Sequence, residues 1–430
     1  AGYQAEVAVS HTVESSTIRL TIGGRIDGVW PTDEGILIEE IKTTTQPLES
    51  VTKKENPLHW GQLKCYAYMY AAAQGLKTIK GQLTYYHIET GQTFEYNHAF
   101  EFNTLTDFFN DLVSNYLVWA DAVAGWQARR NRAIHETPFP YSQYRSGQRQ
   151  MAVAVFRTIR DETHLMVQAA TGIGKTMAVL FPAIKALAEG LTEKIFYLTA
   201  RTTGRLAAEK TLDILRRNRL AIKSLTLTAK DKICFEPDAD CNPEACPFAK
   251  GYYDRYRAAV EVAFKQDVLT RIDIENISSQ FGICPFAFSL ALAKWVDVII
   301  CDYNYAFDPR VSLKELFDEQ KQSHTFLVDE AHNLVDRSRE MFSATLIKQP
   351  FLAVRRMFKG KLPELHCQMG RINRWFLKNR KQGGDIPAPR LEISAPRGLV
   401  AILWAFVREV DRWLAKNMKT PYREPLLKLY

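Results

Sequence analysis

The chain has 430 residues, a formal charge of +8 and a pI near 9.0, and its length is too great for one ordinary core, so two to four domains are expected. The basic balance suits contact with an anionic polymer, while no run approaches the roughly 18 apolar residues that span a bilayer, which excludes a membrane helix and makes a cytoplasmic location the expectation. Seven cysteines, an odd number, do not read as a disulfide framework.

The opening Ala1-Gly2-Tyr3-Gln4 is neither a starting Met nor a basic-then-apolar secretion signal, and reads as the interior of a longer product. From Glu6 to about Glu101, β-prone runs (VAVSHTV, TIRLTIGGRIDGVW, GILIEEIK) precede a helix around His59 to Ala73. A further strand pair follows, IKGQLTYYHI and QTFEYNHAF, which makes an α/β module. Asp27 falls near the end of one strand, and Glu40 and Lys42, two apart, share a face of the next. Carboxylates so placed can hold one Mg2+ while the lysine positions the attacking water or stabilises phosphorane charge. Any β-hairpin with surface charges can also show this ExK. Gln62 and Tyr66, four apart, share a face of the helix.

Together GRID, EIKT and QxxxY resemble the RecB-type branch of the PD-(D/E)xK nucleases over about residues 5 to 100. The resemblance implies a metal-dependent DNA nuclease with catalytic Asp27, Glu40 and Lys42, Mg2+ on Asp27 and Glu40, and DNA held by Gln62 and Tyr66. The branch has an upstream acidic or His motif, for which Glu6 is a poor substitute. Only Cys65 lies in this region, so no metal cluster belongs to it.

A helical stretch from Leu105 to Ile134 leads to the linker HETPFPYSQY. Strand and helix signals then alternate, arguing a parallel sheet covered by helices. QAATGIGKT is expected to follow an apolar strand, LMV, and to open a helix, the setting of a phosphate-binding loop. Its glycines, Gly172 and Gly174, let backbone N–H groups approach phosphate, Lys175 reaches the β- and γ-phosphates, and Thr176 ligates magnesium. At the end of a second apolar strand, Asp329 would hold the magnesium through water, Glu330 would polarise the attacking water and His332 would couple the site to the bound strand.

Ala169 stands where the generic loop has its first glycine, and the form AxTGxGKT resembles superfamily 2 helicases, with Thr171 in the loop. YRSGQRQMAVAVFRTI resembles their adenine-reading motif, with Gln148 on the adenine edge. YLTART resembles the motif that meets the DNA backbone through Thr199, Arg201 and Thr202.

Between loop and acidic box lie Cys234, Cys241, Cys246 and Cys284. Four thiolates suit a tetrahedral zinc or a cubane iron-sulfur cluster, and their spacing does not choose. The order of loop, cysteine insertion, DYNYAFDP and VDEAHNL resembles the XPD and DinG family of iron-sulfur helicases over about residues 140 to 340. That resemblance implies a [4Fe-4S] cluster on the four cysteines, ATP and Mg2+ as cofactors, single-stranded and forked DNA as partner, and 5′ to 3′ translocation. Cys65, Cys301 and Cys367 read as structural thiols.

Ser343-Ala344-Thr345 spells a helicase coupling motif, but only ten residues separate it from His332 on what reads as one continuous helix, and coincidence is the reading. The basic helices that follow look like the first part of the family's helical arch, and no second α/β alternation, the pattern expected of a second motor domain, is read within these 430 residues.

The expected fold class is thus α/β multidomain. Residues 1–104 form a nuclease-like α/β domain, 105–139 a helical linker, 140–229 and 285–335 a RecA-like motor domain, 230–284 the cluster insertion and 336–430 the start of the arch. The expected function is an ATP-dependent DNA helicase fused to a nuclease, in repair or processing of DNA. Two alternatives remain at this stage: a nuclease fold that only grips DNA, and a DNA-binding ATPase that does not unwind.

Overall fold

A computed structural model describes residues 2–430 except 16, 34, 53–54, 171, 312, 318–322, 382–393, 395, 397 and 418–419. It divides into two compact units, Ala1–Arg337 and Ser338–Tyr430. No helix among the described residues is long and apolar enough to cross a membrane.

The first unit opens with β1 (Gln4–Glu14), β2 (Arg19–Thr32), β3 (Gly35–Thr44), β4 (Thr78–His87) and β5 (Thr93–Glu101), a sheet in that order. Only the pairing of β3 with β4 is parallel. Parallel neighbours need a crossover, here α1 (Pro57–Gln74). The Asn56 side chain caps it by accepting the Leu58 N–H at 2.9 Å, Pro57 supplies a preset first residue, and left-handed Gly75 ends it. Ile26, Val29, Ile38, Leu83 and Tyr85 of the sheet bury against Trp60, Leu63 and Ala67 of α1 and against Leu105, Phe109 and Val113 of α2 (Phe102–Glu136).

α2 serves two cores, because its far end places Ile134 in the second. Midway, Arg130 donates to Asp297 at 2.6 Å, with both side chains largely buried, and the Lys223 ammonium lies 4.1 Å from the Trp126 ring centroid. The stretch expected as a helical linker, 105–139, lies mostly within a continuous 35-residue helix whose two ends pack in different cores. Residues 137–146 carry no helix or strand.

Beyond it lie α3 (Gln148–Arg160), α4 (Lys175–Ala188), β6 (Lys194–Leu198), α5 (Thr202–Arg217) and β7 (Ser224–Thr226). The cysteine-bearing stretch holds α6 (Tyr252–Phe264), β8 (Val268–Leu269) and α7 (Arg271–Phe281). α8 (Pro285–Leu292), β9 (Val298–Cys301) and β10 (His324–Val328) complete the unit's sheet, whose order is β10-β6-β9-β7-β8. Every pairing is parallel, as strand-helix alternation predicts. Ile195, Tyr197, Val298 and Ile300 pack on Leu180, Ile184 and Leu187 of α4 and on Leu212 and Leu215 of α5. β8 belongs to this sheet although it falls within residues 230–284.

Two local expectations are corrected. Residues 163–170 form no strand, and Leu165, Met166 and Val167 are 40, 93 and 44% exposed. A strand needs a neighbour's hydrogen bonds, and this run makes none: β10, at the sheet's edge, pairs with β6 alone among the described residues, and apolar content without such pairing leaves the run irregular. Nor does one helix run on from the acidic box: Ala331–Asn333 is a 3-10 turn, the helix Leu334–Met341 stops, and Ser343 bonds back to the Arg339 carbonyl at 2.5 Å.

The second unit contains α9 (Lys348–Phe358), α10 (Pro363–Lys381) and α11 (Leu399–Lys416). Helically spaced apolar residues, such as Phe406, Val410 and Leu414, meet Phe351, Phe358, Met369 and Ile372 in its core.

Candidate active sites

The first site forms where β2 and β3 run side by side. Gly28 pairs with Glu39, so Asp27 lies one position beyond the last paired residues, beside Glu40. The Ile41 N–H donates to Asp27 Oδ2 at 2.6 Å. Lys42 donates to Glu40 Oε1 at 2.5 Å and to Gln62 Oε1 at 2.9 Å, and Gln62 Nε2 donates to the Tyr66 hydroxyl at 3.2 Å. All five residues singled out in the sequence thus converge. Gly24 makes this possible, since a Cβ there would sit 2.6 Å from Tyr66 Cε1.

Glu40 is 3% exposed, and its second oxygen, Oε2, is buried with no hydrogen-bond partner. Burial pushes its carboxyl above the usual range, the hydrogen bond from Lys42 draws it back, and the charge of Asp27 pushes it up again. An orphaned carboxylate oxygen beside a second carboxylate is the donor set a hard divalent cation takes, so the residues present fit Mg2+.

The second site gathers at the carboxyl ends of β6 and β10. Gly172 and Gly174 both have left-handed backbones, φ 86° and 82°, and Gly174 precedes the first turn of α4. Lys175 folds back to donate to the Ala169 carbonyl at 3.1 Å. Thr171 lies outside the described residues. Gln148 is 2% exposed and grips the loop: its amide donates to the Gly174 carbonyl at 3.2 Å and accepts the Arg145 N–H at 3.1 Å. The Arg145 guanidinium bonds the Gly172 carbonyl, a contact that no motif announced.

Asp329 continues β10, its N–H donating to the Leu198 carbonyl at 2.9 Å. Burial pushes its carboxyl up, opposed by the hydrogen bond from Tyr197 and the charge of Lys175, with Glu330 adding to the rise. The Tyr197 hydroxyl is itself pushed far up by burial and then by Asp329, against the hydrogen bond with Thr176. Thr176, Lys175 and Asp329 are therefore neighbours, a set that fits a magnesium nucleotide.

Glu330 adopts a left-handed backbone, φ 49°, a strain of about 1–3 kcal/mol for a residue with a side chain. Its neighbour His332 stands 3.3 Å from its carboxylate. The Tyr303 hydroxyl holds this turn by bonding the Asp329 and Glu330 carbonyls, a role the DYNY letters carried without naming. Thr199 donates its N–H to Cys301 O at 3.0 Å, and a Cβ on Gly204 would collide with the Thr199 hydroxyl and lie 2.7 Å from Asp329 Oδ2. The YLTART segment therefore adjoins the acidic box, with Arg201 exposed and Thr202 opening α5.

The four cysteines differ in setting. Cys246 is buried, Cys234 and Cys284 are intermediate and Cys241 is exposed. Lys230 stands among three of them: the hydrogen bond with Cys241, then the charges of Cys241, Cys234 and Cys284, raise its pKa against burial. Among the described residues no group of three or more His, Cys, Asp or Glu stands at metal-ligating separation. Cys234, Cys241 and Cys284 nonetheless share the neighbourhood of Lys230.

Comparison with known proteins fits this division. The PD-(D/E)XK nuclease superfamily model matches residues 2–167, the DEAD/DEAH box helicase model residues 148–233, and the DEAD_2 model residues 208–350. The "General transcription and DNA repair factor IIH helicase subunit XPD" of Arabidopsis thaliana is 26% identical over 250 residues, 48% of this chain and 32% of that protein. The "ATP-dependent DNA helicase DinG" of Salmonella choleraesuis is 25% identical over 235 residues, 46% of this chain and 32% of that protein. A solved structure titled "XPD_Helicase" aligns with a TM-score of 0.40 and 17% identity over 67% of this chain and 51% of that one. The chain spans about a third of the length of these two curated relatives. A nuclease-superfamily match thus precedes two helicase matches along the chain, which is similar to the XPD- and DinG-like helicases over its helicase-matching part and to the PD-(D/E)XK nucleases before it.

Proposed function

We propose that the chain couples ATP-driven 5′ to 3′ movement along single-stranded DNA, and opening of forked duplex, to Mg2+-dependent cleavage of a strand. The observation that supports it most is the meeting of Lys175 and Thr176 with Asp329, far from them in sequence, at the carboxyl ends of a parallel sheet. There Lys175 would bind the terminal phosphates, Thr176 and Asp329 would hold magnesium, Glu330 would orient the attacking water, and Gln148 would swing from the loop to adenine. Thr199, Arg201 and Thr202 would carry the DNA backbone. The 5′ to 3′ direction and a role in DNA repair or processing rest on the family likeness.

In the nuclease domain, Asp27 and Glu40 would hold the metal, which supplies Lewis acidity at the scissile phosphate. Lys42, already fixed by Glu40 and Gln62, would orient the attacking water, and Gln62 and Tyr66 would steady the DNA. Cys234, Cys241, Cys246 and Cys284 would hold a [4Fe-4S] cluster, which would tie the ends of residues 234–284 together.

The deciding experiment incubates the full chain with a forked duplex, ATP and Mg2+. Strand separation is expected, and ATP hydrolysis without separation refutes the helicase. Cleavage of one strand should persist without ATP; its absence at any metal concentration refutes the nuclease. Absorbance near 400 nm with about four irons per chain is expected for the cluster; stoichiometric zinc refutes it.

A further inference from the structure

Directly behind the carboxylate pair, on the other face of the first sheet, lies a second acid. Glu39 alternates with Glu40 along β3 and so points to the opposite side. It is 8% exposed. Its Oε1 accepts the Thr84 hydroxyl at 2.5 Å and the Gln82 amide at 3.0 Å, both from β4. Its Oε2 accepts the Tyr3 hydroxyl at 3.3 Å, and that hydroxyl also lies 3.4 Å from the Asp27 carbonyl oxygen.

The fold makes room for this contact. Gly28, paired with Glu39, leaves the space that Tyr3 occupies, since a Cβ there would sit 2.6 Å from the Tyr3 ring. Tyr3 also packs on Trp30, with ring centroids 5.2 Å apart. One carboxylate and its neutral donors therefore tie the backbone beside Asp27 to β3 and β4, at the level where Asp27 and Glu40 leave the front face.

Stability alone does not ask for this arrangement. Burying a carboxylate among neutral donors is costly, and an apolar side chain, as at Leu37 on the same face, fills such a position without that cost. What Glu39 adds is directional bonding across three strands. On the front face, Asp27 is held by the N–H of Ile41, the residue between Glu40 and Lys42, so a small slide of β3 shifts both carboxylates against each other.

We propose that Glu39, together with Tyr3, is a positioning residue of the divalent-metal site: it sets the separation of Asp27 and Glu40 before the metal arrives. The proposal rests on the metal-dependent reading of those two carboxylates. It predicts an effect on metal affinity, with little effect on the rate once metal saturates.

The test titrates Mn2+ into the full chain by calorimetry, with Glu40→Ala defining the heat that belongs to this site. Glu39→Ala should weaken Mn2+ binding about tenfold, the scale on which outer partners tune a metal site. Glu39→Gln, which keeps an acceptor for Thr84 and Tyr3, should restore most of the affinity. Tyr3→Phe removes one hydroxyl from a side chain that is 52% exposed, and should weaken binding by a smaller factor with the fold intact. If Glu39→Ala fails to fold, Tyr3→Phe decides.

In cleavage assays the Mg2+ concentration for half-maximal rate should rise in both variants, while the saturated rate stays near the parent's. Parent-like Mn2+ affinity in Glu39→Ala or, should that variant not fold, in Tyr3→Phe overturns the proposal, as does the absence of any Glu40-dependent binding. Binding through Glu40 without DNA cleavage instead refutes the nuclease activity, and the affinities then judge the positioning role by themselves.

Discussion

Replacing Lys42 by methionine probes the electrostatics of the nuclease site without any substrate. The Lys42 ammonium lies 2.5 Å from Glu40 Oε1, and the two side chains are 26% and 4% accessible. Methionine keeps the stem and removes the charge, so the hydrogen bond that draws the Glu40 carboxyl down is lost, while burial and Asp27 continue to push it up. Breaking a buried pair by removing one partner costs about 3–5 kcal/mol. The partial exposure of Lys42, and the option of protonating Glu40, reduce this to about 2 kcal/mol at pH 8.

The pH dependence has a definite sign. The folded pKa of Glu40 lies above the ordinary 4.5, so the cost of its charge is present in full above the folded value, shrinks as pH falls through it and is gone below 4.5. Amide exchange of the β3 segment Gly35–Thr44 in metal-free buffer reads the local opening free energy. Lys42→Met should exchange roughly 30-fold faster than the parent at pH 8, the equivalent of about 2 kcal/mol, and should approach the parent near pH 5. In the Glu40→Gln background, adding Lys42→Met should change little. An unchanged rate at pH 8, or an equal penalty at both pH values, would show that the pair does not hold the site.

Other outcomes follow from the same geometry. Glu40→Ala should abolish strand cleavage and leave ATP hydrolysis at the parent rate, both measured on the full chain. Lys175→Ala should do the reverse, weakening nucleotide binding about 10- to 100-fold in equilibrium titration, since it removes a bond to a charged phosphate. Cys246→Ala should lose iron and the absorbance near 400 nm; retention of four irons would remove Cys246 from the ligand set. Residues 338–430 contain 19 Lys and Arg against 7 Asp and Glu, an excess of 12 where the whole chain has +8. Changing exposed Arg371, Arg374 and Lys378, which share one face of α10, to glutamate should flatten the salt dependence of single-strand binding by about 2 in log-log slope.

Much of the fold was readable in the chain because hydrophobic period and punctuation are local. The β-prone run GILIEEIK and the helical stretch around His59 to Ala73 predict their elements, and strand alternation already places Glu40 and Lys42 on one face. The gathering of Asp27, Gln62 and Tyr66 round Lys42 was reached by family likeness rather than by periodicity. Two readings failed where local letters were silent about neighbours. Leu165–Val167 is as apolar as a strand but pairs with none among the described residues, and the helix Leu334–Met341 stops just before Ser343, which bonds back to it.

The sequence by itself supplied the expectation of two chemistries, since Gly174-Lys175-Thr176, Asp329-Glu330 and the Asp27, Glu40, Lys42 set are written in residue types that suit phosphate and metal. Tertiary structure alone decided how those groups are held. Gln148 and Arg145 clamp the phosphate loop, Tyr303 pins the acidic turn, α2 ties one core to the other, and Glu39 with Tyr3 braces the metal-binding strands from behind. Each depends on side chains meeting across strands or helices far apart in the chain, and such meetings are set by register and packing, which no local pattern of residues encodes.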